Sequence, residues 1–413
     1  MDNPARAPLD HCMSDVLIIG GGLNGLPLAL ALAQGGLEVT VVDARPAPLR
    51  GASGFDGRAY SLASASCRLL RAVGVWDRVA DLAQPILRIR TAGGQVGSGA
   101  SPFVLTFDSS EVEGGPMGNM LEDRFLYAAL LAAIAEQPRI RLVSGEVAVE
   151  QAEGRVRLVS GEWLSARLVV GCDGRGSGTA QRARIRRTGW AYGQTALVTA
   201  VEHEHPHDGT AHQLFLPSGP LAILPLPGNR SSIVWSEEQA LAAAIQELPD
   251  DEYLAALRPR FGDFLGRLTL VGTRFQYPLS LSLADRFVAP RLALVGDAAH
   301  GVHPLAGQGL NLGLRDVAAL AEVVIHAARR GEDIGAPTVL QRYEDWRRPE
   351  TTTMALGMDA MNRLFSNRNP ILRLGRDLGL GAVNAMPALR RGFIRQAAGL
   401  SGRLPALLRG ERP

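Results

Sequence analysis

The residues best suited to chemistry lie between positions 291 and 316. This segment predicts a short buried strand over 292–295 that ends at Gly296-Asp297, then a Pro-Leu-Ala-Gly-Gln-Gly turn, then a helix that begins near Asn311. A carboxylate at the end of a strand accepts hydrogen bonds from hydroxyl groups, and glycines before a helix leave its first N–H groups accessible to an anion. The segment therefore indicates a site for an anionic ligand with several hydroxyl groups.

A second segment of the same kind lies near the N-terminus. The pattern Gly-x-Gly-x-x-Gly occurs between a predicted strand, 14–20, and a predicted helix, 25–34, as Gly20-Gly21-Gly22-Leu23-Asn24-Gly25. Asp43 ends the next predicted strand, where its carboxylate can accept hydrogen bonds from a ribose. The pattern predicts an ADP-containing dinucleotide and does not distinguish FAD from NAD.

The late segment favours FAD. A nicotinamide dehydrogenase needs no second acid-and-glycine site, whereas a flavin offers ribityl hydroxyls to Asp297 and needs donors for the negative charge of its reduced ring. Backbone N–H groups at 309–311, at the positive end of a helix, supply such donors. A strand end followed by an ordinary helix start is the alternative, and it explains the long stretch 304–313 poorly.

Composition excludes several classes of function. The 413 residues carry a net charge of +2, which argues against a dedicated nucleic-acid-binding protein. All basic residues are arginine, so Schiff-base, pyridoxal phosphate and Walker-type chemistry lack their lysine. The three cysteines fit no metal spacing and indicate reduced thiols. The alternating His203, His205 and His207 have no second cluster of ligands, so we expect no metal site. No signal peptide and no membrane-spanning run is predicted.

The chain from residue 363 to residue 413 is basic. It holds ten arginines against Asp377 and Glu411, mixed with apolar residues. This composition suits a helical segment that lies on an anionic membrane surface. A solvated helical face packed on the cofactor domain is an equally good interpretation, and both remain open.

The order of elements predicts an α/β protein. We expect a Rossmann-like cofactor domain made from 14–80, 120–185 and 285–345, with an inserted, mainly antiparallel β domain for substrate made from 81–119 and 186–284. A C-terminal helical segment covers 346–413. Within the first domain, residues 61–79 predict a helix; within the second, one helix is expected near 237–248.

The three Gly/Asp segments, with Asp173-Gly174 as the third, resemble the class A flavoprotein aromatic hydroxylases of the p-hydroxybenzoate hydroxylase fold. One segment is similar to the signature of their ubiquinone-biosynthesis branch, the polyprenylphenol and 2-octaprenyl-6-methoxyphenol hydroxylases. This segment is His303-Pro-Leu-Ala-Gly-Gln-Gly-Leu-Asn-Leu-Gly313. Asp56-Gly-Arg-Ala and Gly219-Pro-Leu-Ala-Ile-Leu-Pro-Leu also resemble this branch.

The resemblance implies roles for matched positions. The implied FAD-binding residues are Gly20, Gly22, Leu23, Asn24, Gly25, Asp43, Arg45, Arg58, Arg124, Asp173, Gly174, Asp297, Gly307, Gln308, Gly309, Leu310 and Asn311. Arg58 and Pro304 are expected at the reaction site, and Tyr192, His212 and Gln213 are candidates for the group that activates the substrate. We include Pro304, Arg58 and His212 as catalytic candidates. Ala180 stands where the family has an arginine, which weakens any inference about nicotinamide phosphate contacts.

The implied reaction is hydroxylation of a polyprenylated phenol in ubiquinone biosynthesis, with NAD(P)H and O₂, through a C4a-hydroperoxyflavin. Expected partners are the prenylated phenol, other quinone-biosynthesis enzymes and the inner face of the cytoplasmic membrane, with a cytoplasmic location and no nucleic acid. Two alternatives are an FAD-dependent isoprenoid reductase and a non-catalytic flavoprotein subunit. The ring position, the electron donor and the oligomeric state stay open.

Overall fold

The computed structural model of the chain describes residues 13–46, 55–97, 99–111, 115–366, 383–384 and 386–412. The strands are β1 (Ser14–Ile19), β2 (Val39–Asp43), β3 (Ala59–Ala63), β4 (Gln84–Ile86), β5 (Arg88–Gln95), β6 (Gly99–Asp108), β7 (Gly118–Glu122), β8 (Ile140–Ser144), β9 (Ala148–Ala152), β10 (Arg155–Leu158), β11 (Trp163–Gly171), β12 (Arg187–His203), β13 (Thr210–Leu216), β14 (Gly219–Leu226), β15 (Arg230–Glu238), β16 (Leu268–Ala284), β17 (Val288–Ala289), β18 (Leu292–Leu294) and β19 (His300–Gly301). The helices are α1 (Gly25–Gln34), α2 (Ser64–Ala72), α3 (Asp123–Ala135), α4 (Gly178–Arg182), α5 (Gln239–Gln246), α6 (Asp250–Phe261), α7 (Gln308–Arg329), α8 (Pro337–Phe365), α9 (Pro387–Ala397) and α10 (Ala406–Arg409).

The first sheet is mainly parallel and carries the two predicted cofactor segments. Its strand order is β17-β18-β11-β1-β2-β8, with β17 antiparallel and β9 and β10 attached beyond β11. The apolar residues of β1, such as Val16 and Ile18, are fully buried, because a parallel sheet is covered on both faces. Helix α1 has the predicted bounds and packs against α3 and α7. The predicted βαβ unit is therefore confirmed.

The second sheet has the order β19-β16-β12-β15-β14-β13-β5-β6 and is antiparallel except where β13 meets β5. One face, which we call the outer face, packs through Leu197 and Trp235 against α5 and α6. The opposite face, the inner face, packs through Phe215 against Leu305 and Leu312 of the late cofactor segment. The two faces follow from the alternation of side chains along each strand.

A small third sheet has the order β3-β7-β4, and its strands alternate along the chain with strands of the other two sheets. The predicted helix over 61–79 is wrong at both ends, because β3 reaches Ala63, α2 ends at Ala72 and short 3₁₀ turns follow. β3 pairs with β7, which is distant in sequence, and this long-range pairing outweighs the local helical pattern. Sequence reasoning also missed α6, in which Pro259 interrupts the helical pattern.

Of the C-terminal helices, α8 and α10 pack against α7, whereas α9 contacts β6 of the second sheet. Helix α8 continues through the predicted domain limit at 345–346, and the other domain limits stay a prediction. Helix α10 contacts α2 and α7, and its Leu407 and Leu408 are buried. This part of the tail therefore packs on the protein itself. Arg368, Arg373, Arg376 and Cys12 lie outside the described residues.

Two of the predicted reduced thiols, Cys67 and Cys172, are free in the structure. Across the described ranges, no helix combines the length and the apolar composition that a membrane crossing requires. In the same ranges, no three His, Cys, Asp or Glu side chains are grouped as a metal site would need. The imidazoles of His203 and His207 are instead hydrogen-bonded to the carbonyls of His205 and Leu226.

Candidate active site

The first turn of the site connects β1 to α1. Gly20 has φ of +109°, and a Cβ at this position would lie 2.4 Å from the carbonyl oxygen of Cys172. A side chain at position 20 is therefore excluded by both conformation and space. A Cβ on Gly22 would have only the Tyr127 hydroxyl, at 3.7 Å, within contact distance. The turn thus presents bare backbone before the positive end of α1.

Asp43 lies where the sequence predicts it, at the carboxyl end of β2 beside β1. One carboxylate oxygen accepts a hydrogen bond of 2.7 Å from the Arg45 N–H. The other oxygen would lie 2.9 Å from a Cβ on Gly21, so glycine allows the carboxylate to cover the turn. The Arg45 side chain itself is exposed.

Asn24 brings the two cofactor segments into contact. A Cβ on Gly296 would lie 2.2 Å from its Nδ2, and a Cβ on Gly313 would lie 2.5 Å from its Oδ1. The carboxamide therefore fits between the strand-end turn and α7 only because both positions are glycine. Within the described part of the chain, Asn24 Oδ1 is buried and accepts no hydrogen bond. This unsatisfied oxygen is the kind of group that a bound ligand satisfies.

A buried ionic network holds the strand-end turn. Asp316 Oδ2 accepts a hydrogen bond of 3.0 Å from the Gly296 N–H and lies 2.5 Å from His300 Nε2. Its Oδ1 accepts a bond of 2.7 Å from Arg347 Nε. Burial alone would raise the pKa of Asp316, but His300 and Arg347 hold it below its ordinary value. Sequence reasoning missed this network, although an acid within the apolar face of α7 was a signal for it.

Asp297 points away from that network. Its Oδ2 lies 3.1 Å from Arg175 Nε, and Arg175 also donates to the Val302 carbonyl at 3.1 Å. Arg187 donates to the carbonyls of Asp297 and Ala298 at 3.0 and 2.7 Å. The two arginines, neither of which was singled out from the sequence, fix the loop and leave the Asp297 carboxylate partly exposed.

Asp173 shapes its own loop. Its two carboxylate oxygens accept hydrogen bonds from Ser177 Oγ at 2.5 Å and from the Thr179 N–H and hydroxyl, both at 2.9 Å. The Asp173 backbone lies against Gly20, and a Cβ on Gly174 would meet nothing within 4 Å. The structure therefore brings this third segment to the first turn, with its carboxylate already used by the protein.

The helix at the late turn begins three residues before the predicted start. Gly307 has φ of +64° and precedes α7, whose first turn contains Gln308, Gly309 and Leu310 and no acid. Asn311 Oδ1 accepts hydrogen bonds from the Ala63 N–H and Ser66 Oγ. Its Nδ2 donates to the carbonyls of Ser61 and Gly307. The Asn311 side chain thus ties the turn to β3, and the site-facing donors are those of the first helical turn.

Arg58 and Arg124 meet at the end of the third sheet. Arg58 forms ion pairs with Asp56 at 2.7 Å and with Asp123 at 3.4 Å. The hydrogen bond to Asp56 raises the pKa of the guanidinium, which stays charged. Arg124 Nε donates to Glu122 at 2.7 Å, from the first turn of α3. Both predicted arginines are therefore held by acids: Arg58 by Asp56, before β3, and Asp123, at the start of α3, and Arg124 by Glu122, at the end of β7.

The substrate-side candidates separate onto two faces. His212 is on the outer face, 4.6 Å from the Phe264 ring, and burial, with Arg90 nearby, lowers its pKa to about 4. The structure does not bring His212 to the site, because the sheet lies between them. Gln213, one residue later, is on the inner face. Tyr192 meets the buried His303 ring edge-on at 5.2 Å, beside the half-buried Pro304.

Comparison with known proteins gives a consistent result. The model of the FAD binding domain family matches residues 13–355. The chain is 47% identical to ubiquinone hydroxylase UbiL of Rhodospirillum rubrum, covering 96% of this chain and 93% of the relative. It is 37% identical to 3-demethoxyubiquinol 3-hydroxylase of Escherichia coli, covering 94% and 99%. The crystal structure of p-nitrophenol 4-monooxygenase PnpA from Pseudomonas putida matches the fold with a TM-score of 0.78, 19% identity and coverage of 95% and 99%.

Proposed function

From the premise that this chain belongs to the FAD-binding domain family of flavoprotein monooxygenases, we propose that it hydroxylates the aromatic ring of a polyprenylated phenol in ubiquinone biosynthesis. The observation that carries the proposal is the identity of 47% with a ubiquinone hydroxylase over nearly the full length of both chains. The predicted fold and cofactor class are confirmed by the family match and by the solved fold relative.

The residues of the first sheet fit FAD. The bare turn at Gly20–Gly22 and the start of α1 are suited to the pyrophosphate, and the Asp43 carboxylate to the ribose. The partly exposed Asp297 carboxylate is suited to ribityl hydroxyls, and the unsatisfied Asn24 Oδ1 lies between the two ends. When bound, FAD supplies the redox chemistry: it takes a hydride from NAD(P)H and activates O₂.

The protein's own contribution is orientation and charge. The first turn of α7 directs N–H groups and the positive end of the helix toward the ring end of the site, where they stabilise developing negative charge. Arg58, fixed by two acids, adds a permanent positive charge 5.4 Å from the Phe275 ring on the inner face. We propose that these groups surround the reacting ring, with Pro304 on the other side.

The surroundings of the late turn suit an apolar substrate. The inner-face residues Leu105, Phe215 and Leu281 pack in one cluster with Leu305 of the turn and with the α8 residue Met358. A substrate that enters between these elements meets hydrocarbon side chains, which favour a prenyl chain through the hydrophobic effect. The same lining offers little to a small, highly charged substrate.

The reaction is tested with the purified holoenzyme. Addition of a diprenylated phenol is expected to accelerate NADPH oxidation and to give a ring-hydroxylated product in the presence of O₂. Saturation of a prenyl double bond without O₂ uptake would establish the reductase alternative. Bound FAD with no substrate-stimulated NAD(P)H oxidation would establish the non-catalytic subunit, and either result contradicts the proposal.

We also propose that the enzyme binds peripherally to the inner face of the cytoplasmic membrane through its C-terminal apolar surface. This surface consists of exposed side chains of α8 and of the segment at α9: Leu356, Met361, Leu364, Met386, Leu389 and Phe393, which are 42–52% exposed. Arg391 and Arg395 lie on α9 among them, so an anionic bilayer offers both hydrocarbon and charge. Contact near α8 would bring a lipid-soluble phenol close to the apolar cluster.

Cosedimentation with vesicles that contain anionic lipid tests this surface. Met386→Glu with Leu389→Glu is expected to abolish most vesicle binding, because two charges replace apolar contacts. Leu241→Glu, at a 44% exposed position on the distant α5, is the matched control and is expected to bind as wild type. Unchanged binding of the double variant contradicts the proposal. The membrane proposal would also be overturned if wild type does not bind vesicles and the double variant loses binding to another quinone-biosynthesis enzyme. That result would identify the surface as a protein contact.

A further inference from the structure

One row of side chains crosses the inner face of the second sheet. Each residue is in register with the next across adjacent strands, from β16 through β12, β15, β14 and β13 to β5. The members of this inner row are Phe275, Val198, Val234, Ala222, Gln213 and Thr91. With neighbouring strands about 4.8 Å apart, the row spans roughly 24 Å. It is long enough to lie under an aromatic ring and part of a prenyl chain.

Gln213 interrupts an otherwise apolar part of this row. Its neighbours on one side are Ala222 and Val234, and on the other side the next residue is Thr91. The Gln213 side chain is half-buried, and within the described ranges its carboxamide forms no hydrogen bond with the protein. Its donor and acceptor atoms are therefore available to a ligand that replaces water at this position.

Gln213 is also close to the ring end of the cofactor site. The next inner-face residue of β13 is Phe215, which packs in one cluster with Leu305 and Leu312 of the late turn and α7. At the far end of the inner row, the Arg58 guanidinium lies 5.4 Å from the Phe275 ring centroid. The row therefore begins beside Arg58, and Gln213 is one inner-face position away from Phe215, the residue that contacts the late turn.

Resting on that function, we propose that the Gln213 carboxamide hydrogen-bonds the oxygen substituents of the substrate ring and selects a neutral phenol over a carboxylated one. An amide both donates and accepts, so it matches a hydroxyl group or a pair of adjacent ring oxygens. A carboxylate is best paired by arginine; the inner row contains none, and Arg58 beside its Phe275 end is already ion-paired with Asp56 and Asp123. A benzoate bound there would leave its charge unpaired in apolar surroundings.

Gln213→Leu tests the hydrogen bond with shape largely kept. Binding is measured as the change in the visible absorption of the bound flavin during titration with a diprenylated phenol. We expect about 3- to 10-fold weaker binding, the effect of one lost neutral hydrogen bond, and a larger fraction of NADPH oxidised without hydroxylated product. The matched control is Gln276→Leu, on the outer face of the same sheet opposite Leu197, which is expected to behave as wild type.

A second probe tests the selectivity. Wild type is expected to bind diprenylated 4-hydroxybenzoate at least about tenfold more weakly than the phenol, and Gln213→Arg is expected to reverse this preference. If Gln213→Leu binds both probes as tightly as wild type does, the role assigned to the Gln213 carboxamide is overturned, whether or not the phenol is still hydroxylated. Failure of wild type itself to hydroxylate any prenylated phenol would instead contradict the proposed function, so the two failures are distinguishable.

Discussion

At the scale of single residues, several side chains matched to cofactor-binding positions are used by the protein itself. Asn311 makes four hydrogen bonds to β3, α2 and the late turn. The Asp173 carboxylate is satisfied within its own loop. Their residue types are thus explained by turn geometry, whereas the Asp297 carboxylate stays partly exposed and Asn24 Oδ1 is buried without a hydrogen-bond donor. The sequence alone could not separate these roles, because hydrogen-bond partners such as Ala63 are distant in the chain.

Two histidines with lowered pKa values, the buried His303 and the half-buried His212, predict a pH-dependent stability. Burial, with Arg90 near one and Arg175 near the other, lowers the pKa of His212 and His303 to about 4. Unfolded histidine has a pKa of about 6.5, so the unfolded chain binds protons that the folded chain does not. The contribution of these neutral imidazoles to the free energy of unfolding is therefore fully present above about pH 6.5 and is lost as the pH decreases toward 4. Each imidazole lowers the free energy of unfolding by up to about 1.4 kcal/mol for each pH unit.

Urea unfolding at pH 7 and pH 5 measures this effect. His212→Phe keeps a ring against Phe264 and is expected to reduce the loss of stability between the two pH values by about 2 kcal/mol. His205→Phe, at an exposed position, is the control and should leave the loss unchanged. The same loss in His212→Phe as in wild type would show that this imidazole is not buried in its neutral form.

At the scale of elements, local patterns predicted the first half of the site well. Helix α1 has the predicted bounds, because its apolar residues and the preceding glycines act locally. The start of α7 was placed too late, since the turn Leu305–Gly307 continues directly into the helix through the left-handed Gly307. The predicted helix over 61–79 includes residues 61–63 of strand β3, because the pairing of β3 with β7 is not visible in a local window.

The open first turn of α7 gives a prediction for Gly309. Because a Cβ at this position would meet no protein atom within 4 Å, Gly309→Ala is expected to leave the free energy of unfolding of the apoprotein unchanged or slightly higher. The added methyl group would occupy space in front of the N–H donors, so FAD should bind about tenfold or more weakly. FAD release is followed by flavin fluorescence, and apoprotein stability by urea unfolding.

Gly357→Ala provides the matched control for this change. Gly357 lies within α8 at an exposed position with no neighbouring atom within 4 Å, so alanine should raise helix stability without any effect on FAD. Equal FAD affinity in Gly309→Ala, Gly357→Ala and wild type would rule out a close approach of the cofactor to Gly309.

At the scale of the whole molecule, the sequence predicted two separate cofactor segments but not how they meet. Their contact depends on Asn24 between Gly296 and Gly313, and on the Asp316 network that reaches Arg347 of α8. The Asn24 contacts join residues more than 250 positions apart, and the Asp316 network joins residues 20 and 31 positions apart, so neither has a local pattern. The division of the second sheet into an outer face with His212 and an inner face with Gln213 also required the register between strands.

The central claim, transfer of oxygen from O₂ to the ring of a prenylated phenol, is tested most directly by isotope labelling. The holoenzyme is incubated with NADPH, a diprenylated phenol and ¹⁸O₂ in unlabelled water, and the product is analysed by mass spectrometry. We expect each molecule of product to carry one ¹⁸O atom bound to the aromatic ring. A product without labelled oxygen, or one changed only in its prenyl chain, would contradict it.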